Sequence, residues 1–142
     1  MPIRTAFARW EGNLTDGSGT ITSGSGGYQG SYSFASRFEE GAGVNPEELI
    51  AAAHSGCFSM ALSNDLTNAG YTPTSVVTTA KVHLDKVDGG FGVTRIDLAA
   101  VAYVRGIDDD TFQKIAEGTR ENCPISRLLS PGARISLDAT LA

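Results

Sequence analysis

Two cysteines, Cys57 and Cys123, are the residues of this chain best suited to covalent chemistry. A thiol is a nucleophile only as its thiolate, so the surroundings of each decide what it can do. Cys57 stands in the apolar run Ala51-Ala52-Ala53-His54-Ser55-Gly56-Cys57-Phe58, where an unpaired cysteine is as readily a small core hydrophobe. Cys123 precedes Pro124, which reads as the first position of a helical turn. There the helix dipole favours a thiolate, with a structural cap as the plainer reading. The two form a candidate attacking and resolving pair. A thiolate on an apolar helix is costly unless a cation faces it, and arginine is the cation that stays charged when buried. Arg37, on a segment leading into that helix, is the candidate, against an ordinary surface ion pair with Glu39, Glu40, Glu47 or Glu48. A carboxylate such as Glu47 can hold a guanidinium in a two-bond fork. His54, three residues before Cys57, is either a base for it or a packed or interface histidine.

Other chemistries find less support. Cys57, Cys123, His54 and His83 would together make a zinc site, but no short CxxC or HxxxH spacing pairs them. The glycine-rich stretch from Gly17 to Gly30 has no GxGxxG or P-loop spacing ahead of a helix, so no nucleotide is implied. A net charge of −5 argues against nucleic acid or an anionic membrane surface as partner. No apolar run approaches the roughly 20 residues of a membrane span. Met1-Pro2-Ile3-Arg4-Thr5, followed by Arg9 and Glu11, does not form a signal-peptide core. Two cysteines far apart with no secretion signal point to a reducing, cytoplasmic setting.

These residues have to be positioned by a small number of elements. At 142 residues the chain is expected to form a single domain over 1–142, with a core large enough to need no staples. Ala6–Glu11 reads as a strand, and Asn13 to Gly30 as hairpins or loose loops around Leu14 and Thr20-Ile21-Thr22, or else as a low-complexity linker. Ser31 to Glu39 alternates, so it is expected to be a half-buried strand with Tyr32, Phe34 and Phe38 on one face. Asn45 then caps a long helix with Pro46 at its first position, Glu48 completing a capping box and Gly70 ending it. A long hairpin follows, turning at Asp88-Gly89-Gly90. Val76, Ala80, Val82 and Leu84 face inward on its first strand, and Ile96, Leu98, Ala100, Ala102 and Val104 on its second. A helix after Asp108 with Phe112, Ile115, Ala116 and Thr119 inward, a helical turn at Pro124 and a strand from Ile135 to Leu141 complete the chain. The order predicts an α+β fold with a largely antiparallel sheet. The long helix is apolar on more faces than one small sheet covers, so a homodimer is expected.

The segments Arg37-Phe38-Glu39, Gly43-Val44-Asn45-Pro46-Glu47-Glu48-Leu49-Ile50-Ala51-Ala52-Ala53-His54, Cys57-Phe58-Ser59-Met60-Ala61-Leu62, Leu84-Asp85-Lys86-Val87-Asp88 and Cys123-Pro124-Ile125-Ser126 resemble the OsmC/Ohr family of thiol peroxidases. The resemblance runs from Trp10-Glu11-Gly12 to the last strand, and Arg37 immediately before Phe38-Glu39 matches its OsmC branch. It implies an intertwined dimer with the two long helices at its centre, and a peroxidase that accepts organic hydroperoxides and hydrogen peroxide. Residue by residue it assigns Cys57 as peroxidatic, Cys123 as resolving, Arg37 as the cation facing the reactive thiol and Glu47 as the carboxylate holding that arginine. It implies no metal, flavin or haem, and an external dithiol donor, typically a lipoyl-bearing protein. The apolar helix near Phe58 and Met60 is then expected to floor a pocket for an alkyl chain. The competing readings are a non-catalytic dimeric stress or binding protein with packed cysteines, and Cys–His hydrolysis.

Overall fold

In the computed structural model, which describes residues Met1–Ala142, the first three strands form an antiparallel meander. They are β1 (Ala6–Glu11), β2 (Ser18–Ser23) and β3 (Gln29–Ser33), in the order β1-β2-β3. The glycine-rich stretch is therefore sheet, not linker, and Gly19 shows why glycine is needed. It lies in register between Trp10 and Tyr32, whose rings meet across it with centroids 5.1 Å apart. A Cβ at Gly19 would come within 2.6 Å of the Tyr32 ring.

The strand expected to run to Glu39 ends at Ser33. Phe34–Phe38 is a short helix, α1, because Ser33 and Ser36 form a capping box. The Ser33 N–H donates to Ser36 Oγ at 2.8 Å and the Ser36 N–H to Ser33 Oγ at 3.2 Å, and these local bonds override the strand-like alternation of Phe34 and Phe38. Arg37 therefore sits on a helix.

Helix α2 (Pro46–Asn68) follows, with the Asn45 carboxamide oxygen accepting from the Glu48 N–H at 2.7 Å. It ends as expected at Gly70, which has φ +96°, while the Tyr71 N–H donates to Leu66 O at 2.9 Å. The chain divides into two compact units, Met1–Leu49 and Ile50–Ala142, so α2 begins in the first and runs on through the second.

The second unit carries the apolar core. Strands β4 (Pro73–Val87) and β5 (Gly90–Val104) form the expected hairpin, with a register shift between His83 and Leu84. Helix α3 (Asp109–Asn122) is capped by Asp108, α4 (Pro124–Leu129) starts after Cys123, and β6 (Arg134–Leu141) closes the sheet. β6 pairs with β5 in parallel, since the α3–α4 crossover brings the chain back in the same direction. The expectation of one largely antiparallel sheet thus becomes two three-stranded sheets, one of them mixed. Phe58, Leu62 and Leu66 of α2 pack in one cluster with Ile96, Leu98 and Phe112, all at most 1% exposed. Burial of that many large side chains, at about 1.5–3 kcal/mol each, is what holds α2 in this unit.

Polar bonds fix the register of α2 within the core. Ser59 Oγ donates to Thr78 Oγ1 on β4 at 2.7 Å, and Thr119 Oγ1 on α3 donates to Asp65 at 2.6 Å. Thr119 is 1% exposed. Thr119→Val keeps the shape but strips the half-buried Asp65 carboxylate of its donor, and should lower the unfolding free energy by about 1 kcal/mol in urea titration.

Candidate active site

Cys57 and Cys123, separated by 66 residues in sequence, meet with their sulfurs 3.3 Å apart and unbonded. Cys57 comes from the middle of α2 and is half-buried; Cys123 caps α4 and is 1% exposed. Burial pushes the Cys57 thiol up from its ordinary pKa, and the neighbouring Cys123 pushes it the same way. The backbone N–H of Ile125, in the first turn of α4, opposes both by hydrogen bonding to the sulfur. Within this unit the two thiols lie in contact, and the groups bearing on the Cys57 thiol are its burial, the Ile125 N–H and Cys123.

The cation and its carboxylate lie in the first unit. Arg37 donates from Nε to Glu47 Oε2 at 3.2 Å and from an Nη to Oε1 at 2.8 Å, the two-bond fork expected for that pair. The Glu47 side chain is 10% exposed and that of Arg37 37%, so the fork is half sheltered. The guanidinium also lies over the Phe38 ring, 5.3 Å from its centroid. Beside it opens a pocket of about 370 Å³ lined chiefly by Trp10, Leu14, Tyr32, Phe34, Phe38 and Arg37. Phe58, expected to floor an apolar pocket, is instead fully buried in the core. Met60 is 78% exposed on α2. The pocket beside Arg37 was not visible in the sequence, since its walls come from β1, β3, α1 and the loop carrying Leu14.

His54 is completely buried, and its Nε2 is 2.7 Å from Ser126 Oγ on α4, itself 1% exposed. Its Nδ1 is buried with no hydrogen-bond partner. Ser126 was not singled out from the sequence, although its place three after Cys123, in the first turn of α4, was a usable signal. His83 lies elsewhere, bonded to Asp97 at 2.8 Å on the sheet. Asp97 also accepts from Ser136 at 2.6 Å, and these bonds bring its carboxyl down to about 2. No group of three or more His, Cys, Asp or Glu side chains gathers in one place.

Burial lowers the pKa of His54 below its ordinary value. A histidine held neutral in the folded state contributes stability that is present above about pH 6.5 and is lost as the pH falls below it, because the unfolded chain takes up the proton first. The unfolding free energy should therefore decline between about pH 7 and about pH 5.5, and His54→Gln should flatten that slope in denaturant titrations at each pH.

A family model described as OsmC-like protein matches residues 39–138 of the chain. Peroxiredoxin OsmC of Escherichia coli (strain K12) is 51% identical over 135 residues, spanning 94% of this chain and 93% of that protein. Organic hydroperoxide resistance protein OhrB of Bacillus subtilis is 29% identical over 98 residues, 68% of this chain and 69% of that protein. The crystal structure of OhrB superposes with a TM-score of 0.71 over 96% of this chain and 98% of that one, at 25% identity. An organic hydroperoxide resistance protein from Elizabethkingia anophelis shares the fold, with a TM-score of 0.74, 24% identity and 99% of both chains covered. With a matched domain spanning most of its length and a relative identical at half its positions, the chain belongs to the OsmC-like protein family.

Proposed function

We propose that this chain is a cysteine-based peroxidase that reduces organic hydroperoxides, and hydrogen peroxide, through Cys57 with Cys123 as the resolving thiol. The observation that carries the reading is the contact of 3.3 Å between two free sulfurs brought together across 66 residues. The names of the relatives, peroxiredoxin OsmC and organic hydroperoxide resistance protein, agree with it.

In the first step the Cys57 thiolate attacks one peroxide oxygen. The O–O bond breaks, the alkoxide leaves and takes a proton to become an alcohol, and Cys57 is left as a sulfenic acid. Cys123 then attacks that sulfur, expelling water and forming the disulfide. An external dithiol, by family resemblance a lipoyl-bearing protein, returns both sulfurs to thiols in a cytoplasmic setting. Arg37 supplies the positive charge that both the thiolate and the departing oxygen need, and Glu47 keeps its planar fork aimed. The pocket of Trp10, Leu14, Tyr32, Phe34 and Phe38 beside that guanidinium suits the alkyl group of an organic hydroperoxide.

The chain is proposed to work as a homodimer with shared sites, in which the arginine forked to Glu47 serves the Cys57 of a second copy. The exposed stripe Ala53, Gly56 and Met60 on α2 is the surface on which that copy packs, its small residues permitting close helix approach. Two other readings lose ground. Cysteines that merely pack have no need of a half-exposed partner, and His54 as a hydrolytic base has its Nε2 already engaged by Ser126.

Cys57→Ser and Arg37→Ala should each abolish most turnover of tert-butyl hydroperoxide. Mixed by co-expression, the two inactive chains should regain about a quarter of parent activity, because half of randomly assorted dimers carry one intact site. No recovery would place arginine and cysteine in the same chain. In Cys123→Ser the sulfenic acid has no partner, so intact-mass spectrometry should show a gain of two oxygens under excess peroxide. The parent should lose two hydrogens instead.

A further inference from the structure

We infer that His54 is a positioning residue for disulfide formation: through its bond to Ser126 it holds α4, and with it Cys123, against Cys57. The inference rests on the two-cysteine reading above and assigns a task to a buried pair which that reading leaves unused.

The start of α4 touches α2 at three places. Cys123 places its sulfur 3.3 Å from that of Cys57, the Ile125 N–H bonds to the Cys57 sulfur, and Ser126 Oγ lies 2.7 Å from His54 Nε2. His54 and Cys57 are three residues apart on α2, so they share one helix face, and the N-cap Cys123 and Ser126 of α4 both meet it. The result is two rungs between the helices, one of sulfur and one polar. The polar rung is the only hydrogen bond the imidazole makes, because its Nδ1 is buried without a partner. An apolar side chain of that size would fill the space with no unsatisfied nitrogen. What the ring adds over such a side chain is the link to Ser126.

α4 needs that link. It has six residues, and Cys123 makes no side-chain capping bond, so a helix this short has little stability of its own. Once Cys57 is a sulfenic acid, two reactions compete for it. Cys123 can displace water and close the disulfide, which requires the sulfurs to move from 3.3 Å to about 2.05 Å. Alternatively a second hydroperoxide can transfer an oxygen, giving the sulfinic acid and another alcohol. The first depends on where α4 stands and the second does not. Misplacing a reacting group by about 1 Å can cost up to about a hundredfold in rate, so loosening α4 shifts the partition towards overoxidation.

The test measures that partition. Parent, His54→Ala, His54→Gln and Ser126→Ala are treated with graded tert-butyl hydroperoxide. Free-thiol loss gives the first step, and intact mass gives the ratio of disulfide to sulfinic acid. His54→Ala and Ser126→Ala should raise the sulfinic fraction per turnover by about tenfold or more, with a smaller fall in the first step, since the Ile125 N–H on the same helix also meets the Cys57 sulfur. In His54→Gln an amide reaches Ser126 in place of Nε2, and the parent ratio should return. A parent-like ratio in Ser126→Ala, or in His54→Ala, overturns the inference, as does a fall of both steps together with no rescue by glutamine. Ser126→Ala keeps the test decisive should His54→Ala fail to fold. A parent protein that consumes no hydroperoxide overturns the peroxidase reading itself, which separates the two failures.

Discussion

A negative charge on sulfur, set on a helix that is mostly apolar, has to be compensated from outside that helix. Burial and the adjacent Cys123 both keep the Cys57 thiol protonated, and one backbone N–H from α4 opposes them. A single neutral donor does not replace a cation. In the proposed function the Arg37–Glu47 fork supplies one, with the carboxylate sheltered and the guanidinium left half open. In the proposed assembly the charge on one copy is offered to the sulfur of the other, and this sharing makes pairing of two copies a condition for reactivity. The aromatic pocket lies beside the same guanidinium, so in that reading the charge and an apolar recognition surface arrive together.

The resolving side is built differently. Nothing in α4 makes it a stable helix alone, and it is held by what it touches: the core, the sulfur of Cys57 and the imidazole of His54. A short element held this way can shift slightly while the long helix stays fixed. Closing a sulfur–sulfur contact needs that kind of asymmetry. α2 is fastened by Thr119 to Asp65 and Ser59 to Thr78, bonds that involve neither sulfur.

Where periodicity and end signals agreed, the sequence was legible. α2, the β4–β5 hairpin, α3 and the Pro124 turn all lie where capping residues and apolar spacing put them. Cys57, Cys123, Arg37 and Glu47 were singled out as candidates by residue type and surroundings, and their roles came by resemblance. What failed did so for identifiable reasons. Ser33 and Ser36 bond to each other's backbone, a local effect that alternation cannot reveal, and so a helix stands where a strand was expected. Phe58 faces the core because its helix phase matches Leu62 and Leu66, which an all-apolar stretch conceals. The parallel placement of β6 depends on the α3–α4 crossover, a tertiary property. Ser126 was in view within Cys-Pro-Ile-Ser, yet only contact with a histidine 72 residues earlier gives it meaning.

The sequence separation of the two thiols has one more effect. Joining Cys57 to Cys123 would close a loop of 66 residues that takes in the hairpin and all of α3. By loop entropy such a link destabilises the unfolded chain by about 4 kcal/mol. Each turnover would then alternate the protein between an open chain and a covalently cinched one. The oxidised form, accumulating whenever the electron donor runs short, would be the harder of the two for heat or a protease to open. Under oxidant load the molecule would thus become most durable at the stage of its cycle when it is waiting to be reduced.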